Sequence, residues 1–546
     1  MIPWLTLAIA LPAIGAVVVW ALTRVQEPAT ATAETHRAEA ASAGGTTTAV
    51  RTRPAAGTAP ANVETAKRVA FGFSLATLAL LVAMALRFDL SGAGGLQFEE
   101  THEWIPRFGI HYAVGVDGIA LVLILMSAIL VPLVMLAAWR EHDDRADGGA
   151  GYFALILILQ AMMIGVFAAT DVFLFYVFFE AMLIPVYFMI GRYGRGGDRA
   201  RAAVKFLLYS LAGGLIMLVA VIGVYVLGGT FLWADLTAAG SALQGIDPEA
   251  ARWLFLGFFI AFAVKAPMWP VHTWLPDAAQ SSRPGTAVLL VGVLDKVGTY
   301  GMLRYCLELF PGAVSWFVWP VAVLSVISIL YGAILAIGQS DMMRLIAYTS
   351  VSHFGFITLG IFVLTQQAQA GAALYMVNHG FATGALFLVV GFLVARRNSH
   401  LIADYGGVQK VAPVLAGAFL VVGLAGLGLP GLAPFVSEFL VLVGAYAFHP
   451  VPAVIAVLGV VLAALYILWM YQRTMTGPTN EKTSGLQDLN VREKWAIGPL
   501  LALLIVFGLY PQPMLDAINP AVERTVENGV EADTVADGTA EEGGRE

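Results

Sequence analysis

The chain has 546 residues, 59% of them hydrophobic and only 12% charged, with a formal net charge of -7 and a mean hydropathy of +0.79. That composition excludes a water-soluble globular domain, in which about 25% of residues are charged. A single cysteine, Cys306, excludes an intrachain disulfide, a Cys-ligated iron-sulfur cluster and a CxxC pair, and the chain contains neither a P-loop nor a Gly-rich dinucleotide fingerprint, so redox or nucleotide chemistry falls to other chains.

A bilayer core of about 30 Å takes about 20 apolar residues per helical crossing. On that measure about fourteen crossings are predicted. They fall at 3–23, 69–87, 117–138, 152–169, 171–191, 203–228, 253–275, 286–309, 315–337, 343–364, 371–395, 411–447, 451–471 and 495–511. The first run lacks a basic n-region and a small-residue cleavage site, so it reads as a retained helix rather than a signal peptide. Residues 24–67, rich in Ala, Thr and Gly with scattered charges, cannot bury enough apolar surface to fold and are predicted to be a disordered insertion. The run at 411–447 is too long for one straight crossing and contains Pro430 and Pro434, which predicts a broken helix. From about residue 519 the chain is acidic (Glu523, Glu527, Glu531, Asp533, Asp537, Glu541, Glu542) and is predicted to be a flexible tail.

Lys and Arg in short loops are retained on the cytoplasmic side. Arg192, Arg195, Arg199 and Arg201 follow the fifth crossing, Arg396, Arg397 and Lys410 the eleventh, and Arg473, Lys482, Arg492 and Lys494 the thirteenth. The loops at 230–252 and 310–315 are poor in them. Both termini are therefore predicted on the outer side of the membrane. The expected architecture is an all-α polytopic membrane protein with the lipid bilayer, and no nucleic acid, as its surroundings.

A charge at the bilayer centre costs about 2.5–3.5 kcal/mol on insertion scales, so each one kept inside a crossing asks for a reason. Glu180 lies in FLFYVFFEAMLIP, Lys265 in FIAFAVKAPMWP, Asp295 and Lys296 in LLVGVLDKVGTYG, His353 in YTSVSHFGF, His379 in YMVNHGFATG and Glu438 in PGLAPFVSEFLVL. A buried Glu and Lys that approach and separate exchange protons as their distance changes, and Glu180 with Lys265 is the expected switch. Lys296, His353 and His379 would pass the proton on, and Glu438 would be its last side-chain stop. Pro267 and Pro270 follow Lys265, and Pro430 and Pro434 precede Glu438, so both charges sit in interrupted helices. Broken helices at matching places in two halves point to inverted repeats, here crossings four to eight (152–310) and nine to thirteen (311–475), preceded by 1–151 and followed by 476–546. Blander roles compete at some positions. A lone intramembrane His is as readily a helix-to-helix hydrogen-bond partner as a relay, and Lys205, beside a basic loop, reads first as a snorkelling side chain. Asp295 and Lys296 point about 100° apart on a helix and need not pair, which leaves Asp295 and Lys205 as modulators.

The strings FYVFFEAMLIPVYFMIG, KAPMWPVHTWLPDAAQSSRPGTAVLLVGVLDKVGTYG and GLPGLAPFVSEF resemble the antiporter-like membrane-arm subunits of bacterial NADH-quinone oxidoreductase, respiratory complex I. The resemblance covers about residues 115–475. It implies fourteen helices with two inverted five-helix repeats, and proton-transfer roles for Glu180, Lys265, Lys296, His353, His379 and Glu438. It also implies proton translocation coupled to NADH oxidation and quinone reduction in other subunits, which would hold FMN, iron-sulfur clusters, NADH and quinone, with no cofactor or metal on this chain. Subunits L and N, the implied neighbours, carry Lys in the twelfth helix, as do related subunits of multisubunit sodium/proton antiporters. Glu438, and the expected lack of further helices after residue 512, set this chain apart from them. A subunit of such an antiporter and a purely structural membrane scaffold are the alternatives; only the scaffold predicts that neutralising the buried charges leaves activity intact.

Overall fold

The computed structural model describes residues 2–24, 61–143, 145, 147–238, 240–479 and 481–542. The apolar runs form helices α1 (Trp4–Arg24), α2 (Ala61–Ala85), α3 (Gly118–Ala137), α4 (Ala150–Ala168), α5 (Val172–Ala181), α6 (Leu183–Gly191), α7 (Arg199–Gly228), α8 (Pro248–Lys265), α9 (Trp274–Ser281), α10 (Pro284–Leu307), α11 (Pro311–Ile337), α12 (Met342–Phe362), α13 (Gln366–Arg397), α14 (Pro413–Gly426), α15 (Ala433–Phe448), α16 (Pro450–Met475), α17 (Val491–Leu509) and α18 (Gln512–Glu542). Among the described residues, eleven stretches are long and apolar enough to cross a membrane unaided. The predicted crossings at 253–275 and 411–447 are interrupted: α8 stops at Lys265, and α14 and α15 are separated at Leu427–Leu432.

The helices form an inner and an outer set. The apolar stretches of α10 and α13 are 100% buried within the protein, whereas those of α1 and α7 are 33% buried and turn the rest of their surface outward, as lipid-facing helices do. Aspartates set several starts. Asp117 accepts from Ala120 N at 2.9 Å, Asp171 from Phe173 N and Leu174 N at 2.9 Å, and Asp341 from Met343 N at 2.9 Å, satisfying amides that a helix leaves open.

A backbone arrangement recurs at the entries to α5 and α12. Val172 N donates to Phe231 O and Trp233 N to Thr170 O, both at 2.9 Å; Met342 N donates to His400 O and Ile402 N to Ser340 O, again both at 2.9 Å. In each case an aspartate-capped helix start is tied to the segment that follows the next long helix, by an antiparallel bridge (Asp171 with Leu232, Asp341 with Leu401).

The fold is of the expected all-α class, with one antiparallel hairpin of β1 (Gln97–Ile105) and β2 (Ile110–Val116) between α2 and α3. The hairpin packs on the start of α1, where Glu100 accepts from Leu5 N at 2.8 Å and Tyr112 bonds Thr6 at 2.9 Å. Residues 61–67 of the expected insertion are helical, and Lys67 is buried against Asp143 at 3.0 Å; residues 25–60 lie outside the described residues. The acidic tail is not a flexible coil but α18, which leaves α17 at a 68° bend. The same helix overturns the expectation that no helix follows residue 512. Composition hid it: Met514, Ala517, Ile518, Ala521, Val522 and Thr525 make a buried stripe at helical spacing beneath the acidic surface residues.

Candidate functional site

The interruption after α8 leaves Lys265 at the helix end, with Pro267 and Pro270 preventing continuation. Its side chain is buried; Nζ donates to Phe179 O at 3.5 Å and stands 4.3 Å from the Phe179 ring centre. Glu180 is the next residue along α5, and its carboxyl lies against Gly214 of α7, where an added Cβ would collide with Oε1. That oxygen is buried without a hydrogen-bond partner. Glu180 and Lys265 are thus neighbours across a helix interface without a direct ion pair.

Lys296 lies on α10, which departs from α-geometry: π turns at Leu290–Leu294 and Met302–Leu307 bracket Lys296–Gly301. Single π turns re-aim side chains and are frequent at functional sites. Lys296 Nζ bonds Val291 O and, at 2.7 Å, Nδ1 of His379 on α13. It does not pair with adjacent Asp295, both of whose oxygens are buried without a hydrogen-bond partner. The His379 ring is 5.3 Å from that of His353 on α12, which is 5.7 Å from the ring of Tyr375. The Tyr375 hydroxyl donates to Oε1 of Glu438. Glu438 sits early in α15, just past the break that holds Pro430; Gly428 in that break has φ of +72°, and a Cβ there would meet Oε2 of Glu438. Pro434 falls in the first turn of α15, where proline is tolerated. Asn378 ties α13 to this end of α15, donating to Ala433 O at 2.8 Å and Ser437 Oγ at 3.0 Å.

Of the residues singled out in the sequence, Lys296, His379, His353 and Glu438 are brought into one buried row, with buried Lys265 and Asp295 at its other end beside Glu180, which is half-buried rather than enclosed as expected. Lys205 stands apart from the row and is not a free snorkelling chain. Its ammonium donates to Asp277 at 2.7 Å and to Thr273 O at 2.8 Å. Asp277 also accepts from Arg344 at 2.7 Å, and Gln280 links Arg344 (3.1 Å) to Asp341 (2.9 Å), which His400 contacts.

Tyr375 was missed, because a tyrosine in an apolar run carries no sequence signal until its hydroxyl partner is known. Also missed was a buried cluster at the start of α3. Arg304 Nη1 donates to Asp117 at 2.8 Å and lies 3.6 Å from Glu308, while Arg524 of α18 is 3.5 Å from both carboxylates. Both guanidiniums stand over the Trp233 ring, at 3.9 and 5.1 Å. In the segment after α3, burial pushes the Glu141 carboxyl up against the pull of nearby Arg283 and Arg195. Burial, helped by Arg283 and Arg145, pushes His142 down to about 3.

The family profile described as NADH:quinone oxidoreductase/Mrp antiporter, TM, matches residues 169–465. NADH-quinone oxidoreductase subunit M of Mycobacterium tuberculosis (strain CDC 1551 / Oshkosh) is 52% identical over 499 residues, spanning 86% of this chain and 90% of that protein. Subunit M of Rhodobacter capsulatus is 40% identical over 498 residues, spanning 89% of this chain and 95% of that one. Among solved structures, a chain of respiratory complex I from Thermus thermophilus with bound NADH superposes with a TM-score of 0.80 at 31% identity, covering 96% of this chain and 99% of that chain. A chain of the Mrp complex from Dietzia sp. DQ12-45-1b has the same TM-score of 0.80 at 20% identity, which speaks to fold alone.

Proposed function

This chain belongs to the NADH:quinone oxidoreductase/Mrp antiporter membrane family, and from that premise we propose that its buried row is the route by which it moves protons. The protein is a proton-translocating membrane-arm subunit of an NADH-quinone oxidoreductase, of the M type. The observation that carries the reading of the row is the side-chain sequence Lys296, His379, His353, Tyr375, Glu438, which runs from α10 through α13 and α12 to α15 without reaching an exposed side chain.

Glu180 and Lys265 act as the switch. Two unit charges 4 Å apart interact by about 4 kcal/mol at an effective dielectric near 20, while lifting one charge through 100 mV costs about 2.3 kcal/mol. Closing or opening this pair is therefore large enough to drive a proton against a membrane potential. In support, Glu180 Oε1 has no hydrogen-bond partner, and Glu180 is one residue from the carbonyl that Lys265 now uses. A proton released by Lys265 passes toward Lys296, on to the imidazoles and to Glu438.

The electron-transfer groups (FMN, iron-sulfur clusters, NADH and quinone) reside on partner subunits, and neighbouring L and N subunits flank this one in the membrane arm. Coupling to them is a free-energy linkage between distant sites. The chain divides into 1–151, inverted repeats at 152–310 and 311–475, and 476–546; the repeated bonding at the starts of α5 and α12 supports that division. Both termini face the outer side of the bacterial inner membrane. In support, the start of α1 bonds Glu100 of the hairpin, and Arg524 and Thr525 of α18 reach Glu308 at the end of α10. An antiporter without a redox partner is disfavoured by Glu438 in place of Lys and by the 52% identity to a subunit M.

The test is proton pumping by the assembled complex carrying Glu180→Ala or Lys265→Ala. Both substitutions are expected to abolish pumping and coupled quinone reduction while copurified flavoprotein and cluster-bearing chains remain. Full pumping in either variant would overturn the role assigned to the pair.

A further inference from the structure

Asp295 has no place in the route just described, yet the fold spends much on keeping it inside. It is fully buried at the junction between the first π turn of α10 and Lys296–Gly301. Among the described residues it is the carboxyl whose two oxygens are both enclosed and both without a hydrogen-bond partner. An ionised carboxylate in that situation is costly by several kcal/mol or more, and such groups either find a partner or take up a proton. The charged groups that act on it are Lys296 and Lys265, and Lys265 in turn feels Glu180 and Asp295. No other charged side chain of the surrounding helices enters that set.

Packing brings this junction onto the break after α8. A Cβ at Gly298 would lie 2.6 Å from Phe262 O and 2.7 Å from Ala266 N, so only a glycine lets α10 come this close to the end of α8. The stretch 295–298 therefore lies directly against 262–266, which ends in Lys265 and the residue after it. Neither lysine makes an ion pair: Lys265 is held by a carbonyl, and Lys296 by a carbonyl and an imidazole. Each step from Lys296 to Glu438 has a hydrogen bond or a ring contact, whereas none joins Lys265 to Lys296.

We infer that Asp295 is the proton carrier between Lys265 and Lys296. In the transfer an N–H bond of the Lys265 ammonium breaks as an O–H bond forms on the Asp295 carboxylate. That O–H then breaks as the neutral Lys296 amine gains its proton, leaving the carboxylate ready for the next. Water bridging the gaps relays the proton without net consumption, and the same station serves transfer in either direction. The π turn gives the carboxyl its position, since an unbroken α-helix from 284 would rotate residue 295 by part of a turn.

The inference rests on the proposed proton route and is tested in the assembled complex alongside Lys265→Ala. Asp295→Asn keeps shape and polarity but cannot carry a proton; Asp295→Glu restores a carboxyl. The expected result is a fall of about tenfold or more in pumping rate for Asp295→Asn, recovery in Asp295→Glu, and NADH oxidation with an artificial electron acceptor unchanged in both. In infrared difference spectra of turnover, a carboxylic-acid C=O band that shifts in D2O is expected in the unsubstituted complex and lost in Asp295→Asn, a signature that a merely structural or electrostatic role would not give. If Lys265→Ala abolishes pumping while Asp295→Asn pumps normally or leaves that band in place, the inference fails and the parent route stands. If Lys265→Ala itself pumps fully, the parent route fails. Should Asp295→Asn not assemble, Asp295→Ser takes its place with the same two readouts.

Discussion

At the scale of single residues, two functional carboxyls lie so close to a glycine that one added methyl group is a test of their geometry. Gly214→Ala would drive a Cβ onto Oε1 of Glu180, and Gly428→Ala would meet Oε2 of Glu438 at a backbone φ of +72° that alanine adopts poorly. Both variants are expected to assemble and to lose most of their pumping, read as acidification by inverted membrane vesicles; wild-type pumping in Gly214→Ala would show that Glu180 does not occupy the place described. A second prediction concerns His142. Its folded-state value near 3 lies below the ordinary 6.5, so the unfolded chain binds more protons between these limits and stability falls as pH drops below about 6.5. The slope reaches at most about 1.4 kcal/mol per pH unit. The aggregation temperature of purified complex should fall between about pH 7 and pH 5, and His142→Asn should flatten that fall. The residues of the row were legible in the sequence because an ionisable group inside an apolar run is costly wherever it occurs. Tyr375 and the partners of Lys205 were not, since a hydroxyl or the aspartate of a short helix such as α9 stands out only once its partner is placed.

At the scale of elements, charge composition misled and periodicity would have served better. Residues from 519 onward look like a solvated acidic coil, yet the stripe from Met514 to Thr525 seats α18 on α13 and α3. Gly118 marks the closeness of that seat, because a Cβ there would collide with Ala517 O. The seat is fastened by two arginines and two carboxylates. Arg304, with its side chain 4% exposed, is buried with both partners, and Arg304→Ala would leave Asp117 and Glu308 with Arg524 alone, 3.5 Å from each, at a cost of up to about 3 kcal/mol. Arg524 is 25% exposed and its loss should be milder. The expectation is that Arg304→Ala greatly reduces the assembled complex on native gels and Arg524→Ala only partly; equal effects would count against burial as the source of the difference. The breaks after α8 and α14 were readable from Pro267, Pro270 and Pro430, because proline removes a donor from the ladder. The π turns of α10 were not readable, since Leu290–Leu294 and Met302–Leu307 contain no residue that forbids an ordinary helix.

At the scale of the whole molecule, the arrangement separates two tasks. Outer helices such as α1 and α7 meet lipid with apolar side chains, while α10, α12 and α13 are walled in by the rest of the chain and carry Lys296, His353 and His379. Enclosure keeps the titratable groups away from lipid and makes the interactions among them strong, because the interior screens charge less than water does. The repeated bonding at the starts of α5 and α12 was invisible in the sequence, where the two segments share an aspartate and little else; backbone geometry carried the likeness. The central claim is that protons cross through this enclosed row and that Lys296 is its middle. The most direct measurement is the number of protons pumped per NADH oxidised by purified complex in sealed liposomes carrying Lys296→Met, a substitution that keeps the side-chain volume and removes the exchangeable proton. The account predicts a marked drop in that ratio relative to the unsubstituted complex; an unchanged ratio at an unchanged rate would contradict it.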